Sequence, residues 1–332
     1  MRLPTPTRQL SLFLLMAAIW GATWIAMKIG VAAVPPVLFA GTRFAAAGLL
    51  LLAWRGLWGA SGTISRRDWP RVGLVALLMV AATYAPLFWA MQYVPSGLAA
   101  IIDFALIPVA LLGFAVLMHE EAFDRSRIVV VGLGAVGIIC LFWSSLLGHG
   151  DGGTRQLVGA MAIVLSVAAY CAGSVLARPL LRAYPPALIS GTTNVLGGAI
   201  LIGGALSFET GDLASLAASW SAVVWLSWAY LVLFGSVGGF TIYLLLIRDW
   251  GPSRAGAYAF VSPVIAVVLG VAVFNEKVGL AEAAGMVLML SAAFLALRGR
   301  RVVSPMPLVP AGRPPVRVRT LVPLTLKPAA AL

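Results

Sequence analysis

The sequence predicts an all-α integral membrane protein in which ten transmembrane helices form two inverted five-helix repeats. Three observations carry this. Of 332 residues, 61% are hydrophobic and only 10% charged, against about 25% charged in an average soluble domain. Apolar runs of about 18 or more residues recur along the chain, each long enough to satisfy its own backbone hydrogen bonds as a helix across roughly 30 Å of hydrocarbon. The second set of five runs also repeats features of the first at fixed spacing.

The expected spans are 9–29, 35–55, 70–93, 95–118, 127–147, 157–180, 185–207, 220–247, 253–274 and 280–297. Span 1 follows Arg2 and Arg8 and resembles a signal peptide at first sight. Its apolar run is longer than a signal core and no small-residue cleavage site follows a short one, so it is expected to be retained. Pro35-Pro36, Pro95, Pro185-Pro186 and Pro252 mark helix starts, where a missing N–H costs no hydrogen bond. Pro86, Pro108, Pro179 and Pro263 interrupt spans 3, 4, 6 and 9. Such breaks either free carbonyls at a site or simply kink the helix. The tail after Arg298 is Pro-rich and basic without periodicity, which predicts disorder. The organisation is therefore a cytoplasmic N-terminus (1–8), a first repeat (9–147), an extracytoplasmic linker (148–156), a second repeat (157–297) and a basic cytoplasmic tail (298–332).

Charge sets the orientation. With both ends placed in the cytoplasm, nineteen Lys and Arg residues fall inside and three (Lys28, Arg155 and Lys277) outside, with Arg43 within a span. That asymmetry is the positive-inside bias, and it requires an even number of spans. It also explains the +12 formal charge with the lipid bilayer as partner. No basic patch interleaved with exposed aromatics points to nucleic acid. Cys140 and Cys171 both lie in apolar runs and offer neither zinc spacing nor a disulfide framework. No cofactor or metal motif is present.

The repeat is read by comparing "WGATWIAMKIGVAAVPPVLFAGTRFAAAG" (20–48) with "YCAGSVLARPLLRAYPPALISGTTNVLGG" (170–198). At an offset of 150 residues, Lys28 meets Arg178, Pro35-Pro36 meets Pro185-Pro186, Gly41-Thr42 meets Gly191-Thr192 and Gly48 meets Gly198. Likewise "PVALLGFAVLMHEE" (108–121) matches "PVIAVVLGVAVFNE" (263–276). Five is odd, so the second copy enters from the opposite side. Inverted repeats of this kind are associated with alternating-access transporters whose site lies at the repeat interface near the midplane.

On these segments, together with "WGATW" in span 1 and the glycine-bearing "VVVGLGAVGIICL" in span 5, the chain resembles the drug/metabolite transporter superfamily, specifically its ten-helix EamA-type members, over about residues 10–297. The resemblance implies a central cavity lined mainly by spans 1, 3, 4, 6, 8 and 9. It also implies a plasma (inner) membrane location and export of small metabolites such as amino acids. The family pattern usually has an uncharged residue where this chain has Asp103.

Asp103 lies about 12 Å into span 4 at 1.5 Å per residue. A bare carboxylate there costs at least ~2.5–3.5 kcal/mol, so something must compensate. At helical spacing Asp103 shares a stripe with Ser96, Ala99, Ala100 and Ala110, whereas Ile101, Phe104, Pro108 and Leu112 lie mostly elsewhere. Small neighbours predict an inward-facing charge. Arg43 lies at a similar depth in span 2, so the two are expected to pair, directly or through a substrate. Two readings stand: Asp103 as proton site or amine anchor with Arg43 as a bidentate carboxylate clamp, or a permanent ion pair fixing span 2 against span 4. In the second half Tyr258 corresponds to Asp103, and Thr193, beside Asn194, to Arg43. Trp20, Trp24, Tyr84, Phe88, Trp89, Tyr170 and Tyr243 are candidate aromatic walls, each also explicable as packing or an interface anchor. Glu120-Glu121 and Glu276-Lys277 read as end caps or edge salt bridges.

The expected function is secondary transport of a small molecule, with a proton as a possible coupling ion. No GxxxxGK[ST] motif offers direct use of ATP. The alternatives are an integral-membrane enzyme or a non-transporting scaffold. Enzyme chemistry wants clustered acid–base groups, and the two histidines, His119 and His149, fall in opposite-side loops.

Overall fold

A computed structural model of the chain describes residues 6–57, 62–94, 96–120, 125–141, 153–209, 220–274 and 279–298. The tail beyond residue 298, Glu121, His149, Glu276 and Lys277 lie outside these residues.

The described residues form ten long helices: α1 (Pro6–Ala33), α2 (Pro36–Leu57), α3 (Arg66–Ala90), α4 (Ser96–Leu117), α5 (Arg125–Leu141), α6 (Gly153–Ala183), α7 (Pro186–Phe208), α8 (Ala222–Trp250), α9 (Tyr258–Phe274) and α10 (Leu280–Arg298). Helices α1, α2, α3, α6, α7 and α8 are long and apolar enough to cross a membrane, and shorter apolar helical stretches lie at Ile102–Leu117, Ile128–Cys140 and Ala283–Arg298. Large apolar side chains such as Leu57, Leu165 and Leu226 point outward, as a lipid-facing surface requires. The protein is a multi-pass membrane protein.

Small residues bring the two halves together. A β-carbon placed on Gly41 would lie 2.9 Å from Ile202 Cγ1 and 3.0 Å from Leu201 Cβ; one on Gly191 would lie 2.9 Å from Leu52 Cδ2 and 3.3 Å from Leu51 Cβ. Subtracting the 150-residue offset turns each contact into the other. Gly48 lies against Gly191 and Val195, and Gly198 against Gly41 and Ala45, again exchanged. Position 41 thus faces 201–202 while 48 faces 191–195, so α2 and α7 run antiparallel about a shared axis. The remaining packing obeys the same exchange. Helix α5 packs on its equivalent α10, while α1 on α9 mirrors α6 on α4, and α1 on α8 mirrors α6 on α3. Two inverted five-helix repeats follow from these contacts.

Helices α3 and α8, equivalent in the two copies, each contain a π-helical stretch, Leu77–Ala81 and Leu231–Phe240. Such widened turns recur at functional sites. Pro86, Pro108, Pro179 and Pro263 all lie inside helices.

Polar contacts tie the copies at both ends. At the end carrying Arg8 and Arg248, the Gln9 amide donates to Asp249 Oδ2 (3.1 Å), the Trp250 indole donates to Gln9 Oε1 (2.8 Å), and Arg248 Nε donates to Asp249 Oδ1 (2.8 Å). Nearby, Arg178 and Arg182 of α6 both pair with Glu120 at the end of α4, at 3.3 and 3.1 Å. At the opposite end Glu209 caps α2, accepting from the Val37 and Leu38 amides at 3.0 Å each.

Candidate functional site

Midway along the bundle the helices separate around a small cavity of about 70 Å³, enough for a few water molecules and below the roughly 300–1,000 Å³ of open small-molecule sites. Its polar lining is Thr23, Arg43, Thr83, Asp103 and Ser236, and its aromatic lining is Trp20, Trp24, Phe44, Tyr84, Phe104, Tyr170, Phe240 and Tyr258. Met27, Leu87, Ile107 and Gly235 complete it.

Asp103 opens onto this space. Among the described residues it has no hydrogen-bond or ion-pair partner. Arg43 lines the same cavity but does not pair with it. The guanidinium lies over three rings instead, with its central carbon 4.3 Å from the centroid of Phe44, 5.0 Å from Tyr84 and 5.1 Å from Phe88. The expected direct pair is therefore corrected. Stacking on aromatic faces supplies part of what a carboxylate would give a buried guanidinium. Its Nε, like Tyr170 Oη and Ser236 Oγ, has no hydrogen-bond partner among the described residues. The cavity wall thus presents a carboxylate, a guanidinium edge and two hydroxyls with unused hydrogen-bonding capacity, which buried polar groups ordinarily satisfy.

The aromatic floor is interlocked. Trp20 meets Tyr258 edge-on at 4.6 Å and Tyr243 at 5.3 Å, and Tyr170 stacks on Tyr243 at 5.4 Å. The Trp20 indole donates to the Gly235 carbonyl in the π-helical stretch of α8 (3.1 Å). Between this floor and the end closed by Gln9 and Asp249, Met16, Ala17, Leu244 and Ile247 are 0% exposed. Among the described residues, packed side chains thus separate the cavity from that end.

Of the residues singled out in the sequence, Trp20, Trp24, Arg43, Tyr84, Asp103, Tyr170 and Tyr258 meet at the cavity. Tyr243 lies behind its wall, fully buried, donating to Ser174 Oγ at 3.1 Å. Asn194 is fully buried in α7 and outside the lining, with both amide atoms unpartnered among the described residues. Trp89 lies apart, in a second hollow with Tyr93, Thr154, Arg155 and Val158. Phe104 belongs to the lining, 4% exposed and 5.7 Å from Trp24, although it lies off the stripe of small residues that Asp103 shares. An aromatic wall beside a carboxylate is as compatible with a cavity as small residues are. Span 2, absent from the expected lining, contributes Arg43 and Phe44. Ser236 was not foreseen, although a serine between glycines in "GSVGG" (235–239), inside an apolar run, was the available signal.

Comparisons agree with this architecture. The EamA-like transporter family matches residues 7–143 and 157–298. The "Uncharacterized inner membrane transporter YedA" of Escherichia coli (strain K12) is 31% identical over 292 residues, covering 88% of this chain and 91% of that protein. A "Probable amino-acid metabolite efflux pump" of Salmonella typhimurium is 24% identical over 312 residues, covering 88% and 95% respectively. A solved crystal structure superposes with a TM-score of 0.73 at 18% identity, covering 87% of this chain and 96% of that one, a likeness of fold alone. The two matched segments, the exchanged helix contacts and the full-length relatives lead to one statement: this chain is a membrane transporter and belongs to the EamA-like transporter family.

Proposed function

We propose that the chain is a secondary transporter that exports a small amphipathic metabolite, an amino acid or a similar amine-bearing compound, by alternating access. Both termini lie in the cytoplasm of an inner-membrane protein, as the charge asymmetry of the loops supports. One observation carries the reading: Asp103 and Arg43 face the same central cavity and do not neutralise each other. A ligand with a cationic and an anionic end, held between aromatic walls, satisfies both. The likeness to an amino-acid metabolite efflux pump supports that substrate class and the outward direction.

The closed end, with Gln9, Asp249, Trp250 and the Glu120 pairs, is then the cytoplasmic gate, and the structure corresponds to the inward-closed state. Opening requires breaking a few polar contacts at a membrane edge, where each is worth little. Asp103 also suits a proton-coupling site, since it can bind either a ligand amine or a proton.

The test is flux into proteoliposomes with a panel of amino acids and related amines, with and without a proton gradient. Wild-type protein moves at least one compound. Asp103→Asn lowers that flux by about 10- to 100-fold, the loss expected when a charged hydrogen bond of roughly 1.5–3 kcal/mol is removed. Absence of flux for every compound, with monodisperse folded protein, overturns this substrate class.

A further inference from the structure

The repeat relation divides the cavity lining into two classes. Trp20 has Tyr170 as its equivalent, and Asp103 has Tyr258 at the 155-residue offset of the "PVALLGF" and "PVIAVVL" segments. All four line the present cavity, so exchanging the conformations of the two repeats leaves all four in place. Other lining positions of α1, α2 and α4 behave differently. Met27 and Phe104 line the cavity while their equivalents Ala177 and Ala259 do not; likewise Trp24, Arg43, Phe44 and Ile107 line it, whereas their polar equivalents Ser174, Thr193, Asn194 and Ser262 lie outside the lining, each 0% exposed. Three of these polar residues make local or covering hydrogen bonds: Ser174 Oγ to the Tyr170 carbonyl (2.7 Å), Thr193 Oγ1 to the Ile189 carbonyl (2.8 Å) and Ser262 Oγ to the Ala17 carbonyl of α1 (2.9 Å). Asn194 makes none, and both its amide atoms are orphaned among the described residues. A buried amide without partners is destabilising and calls for an explanation.

We infer that Ser174, Thr193, Asn194 and Ser262 form a second substrate chamber, closed in this structure and open to the cytoplasm when the repeats exchange conformations. The inference rests on the alternating-access reading above. In the exchanged state Asn194 stands where Phe44 now stands, and its amide reaches the cavity. The two chambers share the Trp20, Tyr170, Asp103 and Tyr258 centre and differ in chemistry. The outer one adds the Arg43 guanidinium and aromatic rings; the inner one adds hydroxyls and an amide, with no charge at these positions. A ligand that keeps an amine against Asp103 in both states needs a second end that accepts hydrogen bonds from a guanidinium or from neutral donors. A carboxylate or carboxamide does both. The site therefore takes small α-amino acids and their amides, with the neutral chamber on the cytoplasmic side.

Single cysteines in a Cys140→Ser, Cys171→Ala background test this without a known substrate. Phe44→Cys, Asn194→Cys, Ser262→Cys and Phe13→Cys are treated with a membrane-impermeant thiol reagent from either side, in intact cells and in inverted vesicles. Phe13 is buried against Trp250, at 5.7 Å between rings, in the closed end, so Phe13→Cys reports any cytoplasmic opening. The expected result is labelling of Asn194→Cys and Ser262→Cys from the cytoplasmic side only, and of Phe44→Cys from the outer side only. Labelling of Phe13→Cys without Asn194→Cys or Ser262→Cys overturns the second chamber and leaves alternating access standing. Absence of labelling at Phe13→Cys, Asn194→Cys and Ser262→Cys alike overturns both. If Asn194→Cys does not reach the membrane, Ser262→Cys alone decides between these outcomes.

Discussion

Helices α2 and α7 hold equivalent places in the two repeats and differ in an instructive way. Their packing residues coincide: Gly41 and Gly48 in one are Gly191 and Gly198 in the other, and each presses against the partner's backbone or aliphatic side chains at the exchanged position. Their chemical residues do not. Arg43 and Phe44 reach the cavity, while Thr193 and Asn194 are buried behind it. Duplication has kept the positions that set interhelical distance and changed those that meet a ligand. A symmetric frame thus carries an asymmetric lining, and a transporter whose two faces meet different solutions has a use for that asymmetry.

The frame is the easiest part of this comparison to break. A β-carbon on Gly198 would lie 2.4 Å from the Ala45 amide nitrogen and 2.9 Å from the Gly41 carbonyl oxygen; on Gly48 it would lie 2.6 Å from both the Gly191 carbonyl oxygen and the Val195 amide nitrogen. These contacts are backbone, so no side-chain rotation relieves them. Overpacking costs typically 1–3 kcal/mol and more where the backbone must move, so Gly198→Val and Gly48→Val each reduce the yield of monodisperse detergent-solubilised protein by about tenfold or more. Gly203→Ala, at a position with nothing within 4 Å of the added carbon, leaves the yield unchanged. Size-exclusion profiles check all three. Tolerance of one valine and not the other would show that α2 and α7 do not share the load equally.

The frame was legible in the sequence because its signals are local or periodic. Helix length, proline starts, loop charge and the 150-residue offset each follow from the cost of exposing backbone or charge to hydrocarbon. The depth of Asp103 and Arg43 was legible for the same reason, since 1.5 Å per residue fixes it. Their relation was not. Whether Arg43 meets a carboxylate or a ring depends on the rotation of α2 against α3, which brings Tyr84 and Phe88 to the guanidinium. Apolar helices give little rotational signal when lipid and core are both apolar. Asn194 and Tyr243 were selected for their chemistry, but residue type does not distinguish a side chain that lines a cavity from one buried a layer behind it. Ser236 was hidden because its exposure depends on the π-helical stretch of α8.

A smaller effect separates the lining of α2 from that of α7. Arg43→Lys keeps the charge but loses the planar group that lies over Phe44, Tyr84 and Phe88. Cation–aromatic contacts of about 0.5–2 kcal/mol and the lost bidentate fork predict a KM raised by roughly 3- to 30-fold in the proteoliposome assay, with Vmax less affected. With substrate offered only at the face opposite the Gln9–Asp249 end, Thr193→Val removes a hydroxyl bonded to its own helix and leaves KM within about twofold, because that hydroxyl is outside the lining of the present cavity and such back-bonding adds little to helix stability. A shift at Thr193→Val as large as at Arg43→Lys would mean that the two copies contribute alike and would remove the asymmetry of the lining.

The smallest effect concerns the helix starts. Both α2 and α7 begin at a Pro-Pro pair, but among the described residues only α2 has a carboxylate from the other repeat over its first turn, with Glu209 accepting from Val37 and Leu38. The Pro185 cap of α7 has no side-chain hydrogen bond. Glu209 sits where the helix dipole favours negative charge, and it joins the end of α7 to the start of α2. Glu209→Gln keeps one acceptor and removes the charge, a loss of about 0.3–1 kcal/mol. The consequence is a decrease of about 2 °C in the apparent Tm of the detergent-solubilised protein, with KM unchanged because Glu209 is remote from the cavity lining. If transport instead fell with no change in Tm, the carboxylate would be part of the moving outer gate and not a fixed cap, and the frame at that end would be less symmetric than the glycine contacts imply.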